Sequence, residues 1–308
     1  MKHIKEKDSK SHMKKSKASK VFDFCNVLFM ILFCITILFP MWDVVVRSFS
    51  SPLDISVSRL NLFPKHPTLA AYQYCLNTGN IFNAIWVTVA RTVIGTALHL
   101  VVVSLAAYAL TKDQLPFIKI IQVFFVIPMF VGAGTIPTYL NIKDLGMTNT
   151  FLVYVIPTSF SLYNCIIMRN YFYSIDKGIE ESASIDGASK LRIFLHITLP
   201  LSKPVIATVA LWHMVDQWNS WFDNMMYNLQ TDKLMTLQYL LRVMLNGVTN
   251  VFSSTTGMSM TMAGTGVAVT GENVKAAVTV MVVLPIVCVY PFIQKYFVKG
   301  IMLGAVKG

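Results

Sequence analysis

Six apolar runs, each long enough to cross the hydrocarbon core of a bilayer, take up most of this chain and leave room for little else. They lie at 22–46, 81–110, 118–140, 151–172, 204–229 and 274–297, and a crossing helix takes about 20 residues. Inside a bilayer each segment must satisfy its own backbone N–H and C=O groups, so runs of this kind form helices. Composition agrees: 55% of the residues are hydrophobic and 13% charged, where a soluble domain carries about 25% charge. The expected fold is therefore all-α, a polytopic bundle of six transmembrane helices over 21–297. A basic arm at 1–20 and a short tail at 298–308 flank it. Pro128, Gly132, Gly134 and Pro137 interrupt the third run. Such breaks are tolerated where neighbouring helices or a water-filled cavity take up the freed backbone groups. That run is either a kinked helix of the bundle or one that lines a pathway.

A net charge of +11 invites a nucleic-acid partner, but its distribution excludes that reading. Eight of the 26 lysines and arginines fall in the first twenty residues, and the rest concentrate in alternate loops. Cytoplasmic loops collect Lys and Arg. The arm, the turn near Lys112 and Lys119, the stretch with Lys177, Lys190, Arg192 and Lys203, and the tail together hold seventeen; the other loops hold six. Both termini are thus expected in the cytoplasm of a cell-membrane protein, with the arm near anionic lipid. The run at 24–39 is too long for the apolar core of a signal peptide and lacks a small-residue cleavage site. The five cysteines show no metal-ligand or redox spacing, and read as packing residues.

Between the fourth and fifth runs lies a charged insert, about 174–203, far more elaborate than its neighbouring loops. Ile175, Ile179 and Ala183 recur at i, i+4 and i+8, a narrow apolar stripe on a short helix with Glu180 and Glu181 off it. Asp186 and Gly187 form a turn signal, and glycine there can take the left-handed conformation that ends a helix. A second amphipathic helix follows, with Leu191, Phe194, Leu195, Thr198 and Leu199 expected on one side. Pro200 is expected to stop it, and Pro204 suits the first turn of the fifth span. The geometry is a rigid knob projecting into the cytosol. Outside the bundle, Leu234, Leu237, Leu240, Leu241 and Met244 lie at helical spacing. The run Gly264-Thr265-Gly266 is too little for a nucleotide fingerprint.

Glu181-Ser182-Ala183, three residues, Gly187, nine residues and then Ile197-x-Leu199-Pro200 resembles the EAA signature of ABC importer permeases, with Ser182 where the family usually has Ala. Ala106-Ala107-Tyr108-Ala109-Leu110, Ile136-Pro137-Thr138-Tyr139-Leu140, Trp218-Asn219-Ser220-Trp221 and the ending from Tyr290 to Gly300 resemble the carbohydrate-uptake branch, among its multiple-sugar and polysaccharide permeases. The resemblance implies a type I importer: two related permeases on an ATPase dimer, fed by an extracellular or periplasmic solute-binding protein. It makes the insert a coupling helix, with Glu180, Glu181, Ala183, Asp186 and Gly187 at the ATPase contact. The tail around Gly300, Gly304 and Lys307 would reach the same interface. The chain has no G-x-x-x-x-G-K-[ST], so ATP and Mg belong to the partner ATPase. No cofactor is expected on this chain, and no catalysis.

Polar residues inside spans are candidate functional residues by default. In the fifth run Trp212, Asp216 and Asn219 fall at i, i+4 and i+7, beside His213, Gln217 and Ser220. Acids and amides suit sugar hydroxyls and indole faces suit a pyranose, so the group is either a solute surface or a buried cluster that holds helices together. Arg91 and His99 share a face of the second run, with Arg91 near enough to its end to snorkel. Two rival functions remain: a permease for a peptide, polyamine or phosphate ester, and a secondary carrier relaying protons through Arg91, His213 and Asp216. An enzyme embedded in the membrane is more distant, since no nucleophile elbow accompanies these residues.

Overall fold

The structure, a computed structural model, describes residues 17–51, 54, 62–78, 81–112, 116–254, 260–261 and 268–304. The series of helices begins with α1 (Lys17–Ser48), α2 (Ala70–Thr78) and α3 (Ile81–Ala109). Next come α4 (Ile118–Phe130), α5 (Thr135–Asp144), α6 (Leu152–Val155) and α7 (Leu162–Tyr173). Helices α8 (Lys177–Ile185), α9 (Lys190–Leu201), α10 (Lys203–Asn219) and α11 (Phe222–Tyr227) follow. The series ends with α12 (Leu237–Ser254) and α13 (Gly271–Gly304). A two-residue ladder pairs β1 (Met260–Thr261) with β2 (Ala268–Val269). The all-α polytopic class holds; Gly264-Thr265-Gly266, Lys307 and most of the basic arm lie outside the described residues.

Six unbroken spans are not what forms. Among the described residues α1, α3 and α13 are long and apolar enough to cross a membrane in one piece. The third run bends by 116° between α4 and α5, where Gly134 takes a positive φ of 82°. The fourth divides at 156–161, around Pro157, into α6 and α7. Serine starts α7 afresh: Ser161 accepts a hydrogen bond from the Asn164 amide at 3.4 Å. The fifth ends as α10 at Asn219 and resumes as α11 at Phe222.

Three apolar clusters hold the bundle. At the end that carries α8, Val103, Ala107 and Tyr108 of α3 pack with Cys165, Met168 and Phe172 of α7, Phe194 of α9 and Val205 and Val209 of α10. At the opposite end, Ile81 and Ala84 of α3 meet α2, Leu237 and Leu240 of α12, and Val274, Ala277, Val278 and Val282 of α13. A third cluster joins Val87 to Ile142 of α5 and to Val153, Tyr154 and Val155 of α6. The leucines foreseen on an amphipathic helix at 234–244 therefore cap the protein's own bundle. Helix α1 packs along α13 and leaves its phenylalanines outward, the surface expected against lipid. Cys75 and Cys165 are packing residues, whereas Cys25, Cys34 and Cys288 are exposed on helices that present apolar surface.

Candidate functional site

Helix α8 is built by local chemistry at both ends. Asp176 caps it, accepting from the Gly178 amide at 2.9 Å. At the other end Gly187 has φ 81°, its amide donates to the Ser184 carbonyl at 3.1 Å, and the Ala188 amide reaches the Ala183 carbonyl at 3.0 Å. Those two bonds make a Schellman turn, which glycine closes without the Cβ strain of the left-handed region. Ser189 then caps α9 through the Arg192 amide. Helix α8 buries none of its residues, and Ile185 is 86% exposed. A knob with so little contact of its own is ordered by its caps.

Helix α9 anchors the knob differently from the sequence pattern. Ile193, Phe194 and Thr198 are buried, while Leu191 and Leu195 are exposed, so the five residues expected on one side divide between two. Nor does Pro200 stop the helix. It sits in the last turn before Ser202, after a π turn at Phe194–Thr198. Proline has no N–H and its ring crowds the carbonyl four residues back; widening the preceding turn relieves that crowding. The chain then bends by 80° into α10, with Pro204 in the first turn as expected.

Glu180 is not free of the bundle. Its carboxylate pairs with Lys112 Nζ, at the end of α3, both side chains about three-quarters buried at 27% and 23% exposure. Lys112 also lies 4.0 Å over the Tyr108 ring. A groove of about 510 Å³ runs beside this pair, bounded by Thr111, Tyr173, Lys177, Glu181 and Ser184. Glu181 and Asp186 are exposed and Ala183 is half-buried.

The second group is a polar spine in the middle of the bundle. Arg91, Gly95 and His99 follow one another along α3, and the residues they meet belong to breaks in other helices. Arg91 is fully buried, about 15 Å from the start of α3 at 1.5 Å per residue, so it does not snorkel. Its Nε donates to Gln217 Oε1 at 2.9 Å, and its Nη atoms donate to the Asp223 carboxylate and, at 3.5 Å, to the Ser220 carbonyl. It also stands 4.4 Å over the Tyr154 ring. Gln217 Nε2 reaches the Tyr154 carbonyl and, at 2.6 Å, Thr158 Oγ1. His99 Nδ1 donates to the Thr158 carbonyl at 3.0 Å, which leaves Nε2 to accept from Asn164 Nδ2 at 2.9 Å. His99 stacks on His213 at 3.8 Å.

These contacts have one physical cause. A break inside a bundle frees carbonyls that lipid cannot satisfy. Tyr154 and Thr158 lie at the break in the fourth run and Ser220 at the break in the fifth, and Gln217, His99 and Arg91 bond to them. Of the expected solute residues, His213 and Gln217 are buried in this spine, Trp212 is half-buried, 6.0 Å from Tyr163, and Asp216 and Asn219 are exposed. A cavity of about 260 Å³ is lined by Arg91, Thr158, Ser161, His213, Asp216 and Gln217, so the five residues do not form one surface. Asp223 and Thr158 belong to the site and were missed. Asp223 is an acid inside the fifth run, 204–229, the signal that could have found it.

Fold and site define a multi-pass transport permease. Residues 116–221, which contain the knob and α10, match the family described as the binding-protein-dependent transport system inner membrane component. Protein LplC of Bacillus subtilis (strain 168) is 37% identical over 297 residues, 96% of this chain and 98% of that one. The polygalacturonan/rhamnogalacturonan transport system permease protein YtcP of the same organism is 35% identical over 290 residues, 94% and 99% of the two chains. A solved chain of a bacterial ABC transporter involved in the import of the acidic polysaccharide alginate superposes with a TM-score of 0.80. That match is 28% identical and covers 92% of this chain and 99% of the other. This chain belongs to the family of binding-protein-dependent inner-membrane transport components.

Proposed function

We propose that this chain is one permease subunit of an ATP-driven importer that carries an oligosaccharide or related sugar across the cell membrane. A solute-binding protein delivers the sugar, a second, homologous permease completes the pathway, and an ATPase dimer supplies the energy. The chain itself catalyses nothing. Both termini and α8 lie in the cytoplasm, with Glu181, Ala183, Asp186 and Gly187 against the ATPase and Gly300, Gly304 and Lys307 near the same contact. The sugar reading draws on the relatives whose names specify polygalacturonan, rhamnogalacturonan and alginate. The exposure of Asp216 and Asn219 toward the end of α10 supports a solute-facing role for these two.

The observation that carries the coupling reading is α8: a charged, capped helix with no buried residue, none of whose side chains joins the three apolar clusters of the bundle. An apolar Ile185 held out in water at 86% exposure fits a helix that completes its burial in a partner. The experiment is a pull-down of tagged chain from membranes in mild detergent, with uptake of labelled oligosaccharide measured alongside. Recovery of a second permease and an ATPase is expected, with uptake lost in Glu181→Ala and Gly187→Pro while both variants still insert. Recovery of the chain alone, or normal uptake in both variants, would overturn the reading.

A further inference from the structure

Helix α8 has no buried side chain, yet a coupling helix must push on the bundle and not merely swing on its two linkers. We infer that Lys112 and Glu180 are positioning residues, a charged tether through which displacement of α8 reaches α3. The inference rests on the coupling reading of α8 given above.

Lys112 stands where α3 ends, and touches two parts of the insert by different routes. Its Nζ pairs with Glu180 on α8. It also lies 4.0 Å over Tyr108, whose hydroxyl donates to the Lys190 carbonyl at 3.4 Å and whose ring leans on Phe194 at 4.9 Å. One cation thus joins the end of α3 to α8 directly and to α9 through an aromatic ring. The groove beside the pair limits but does not remove water, so the pair is held more firmly than one on an open surface. Farther along the same helix, Arg91 and His99 grip the breaks of the fourth and fifth runs. A push on Glu180 therefore enters the helix whose Arg91 and His99 bond to both breaks in the polar spine. Glu181, one position on, is exposed and has no ion-pair partner among the described residues. The two adjacent glutamates divide the work: Glu181 faces the ATPase and Glu180 faces the bundle.

Charge reversal tests the tether in the intact complex. Lys112→Glu and Glu180→Lys are each expected to lower uptake by roughly tenfold while the ATPase still co-purifies and still hydrolyses ATP, so that ATP consumed per solute rises. The double reversal restores the pair and is expected to return uptake to within about threefold of wild type. Lys112→Arg, which keeps the charge, should behave as wild type in the same assay. Single reversals that transport normally, or a double reversal no better than either single, would overturn the inference. Glu181→Ala run in parallel separates the two failures. If it abolishes uptake while the Lys112 and Glu180 variants are silent, only the tether is wrong. If the wild-type chain brings down no ATPase, the coupling reading falls and the tether with it.

Discussion

Arg91 of α3 and Asp223 of α11 form an ion pair inside the bundle, with the guanidinium side chain 1% exposed and the carboxylate 16%. The same guanidinium bonds to the Ser220 carbonyl at the end of α10, so the pair fixes the position where the fifth span breaks. Removing one member of a buried pair leaves an uncompensated charge and costs about 3–5 kcal/mol, whereas replacing both by apolar groups is often neutral. Asp223→Ala is therefore expected to lower the unfolding temperature in detergent sharply. Arg91→Met combined with Asp223→Leu should recover much of the loss. Thermal unfolding followed by size-exclusion chromatography reads both, and a double variant worse than Asp223→Ala would show that the guanidinium holds the break by its carbonyl contact alone.

Gly95 lies one turn along α3 from Arg91, and a Cβ there would stand 3.1 Å from Gln217 Nε2 and 3.2 Å from its Cδ. Gln217 has little freedom to give way, since it bonds Arg91, Tyr154 and Thr158. Gly95→Ala is expected to cost about 1–3 kcal/mol by overpacking. Gln217→Ala in the same chain makes room, so the two losses should fall short of additive in a double-mutant cycle. Strict additivity in thermal stability would mean that the contact is relieved without strain.

The hydropathy of the chain announces where helices cross, because burial in lipid is a property of consecutive residues. Breaks are legible only when their cause is local. Pro128, Gly132, Gly134 and Pro137 mark the third run, and Pro157 stands in plain view in the fourth. The break after Asn219 has neither proline nor glycine beside it; Arg91, 129 positions away from Ser220, satisfies the freed carbonyl. The same distinction governs the sites. Asp176, Asp186 and Gly187 act within one turn, so the knob could be drawn from its residues. Glu180 reads as solvent-facing until Lys112, 68 positions earlier, is brought beside it. Arg91 reads as a snorkelling anchor until Asp223 arrives from 132 positions on.

The Schellman turn at Gly187 predicts a graded series. Nothing lies within 4 Å of a Cβ built there, but φ is +81°, so the penalty for a side chain is backbone strain, about 1–2 kcal/mol. Asparagine tolerates that region better than alanine. Proline fits worst, because its φ is fixed near −65° and it lacks the amide that donates to Ser184. The amount of ATPase recovered with tagged chain is expected to fall in the order Gly187→Asn, Gly187→Ala, Gly187→Pro. Equal recovery with alanine and proline would mean that the turn is not what seats the helix.

Asp54 and His66 join two stretches of the segment between α1 and α2. The carboxylate accepts from the His66 amide at 2.9 Å and lies 3.0 Å from its Nδ1. The side-chain bond from His66, foremost among several contacts, holds the Asp54 carboxyl below its ordinary value. A group whose folded value is depressed stabilises the fold above its unfolded value, about 3.9, and loses that contribution as pH falls through the lower folded one. Exchange of the His66 amide, corrected for its intrinsic rate, should therefore stay protected from neutral pH down to about 4 and lose protection only below it. Asp54→Asn removes the titrating group and should abolish that acid-dependent step. Loss of protection at the same pH in wild type and variant would place the acid sensitivity of the segment elsewhere.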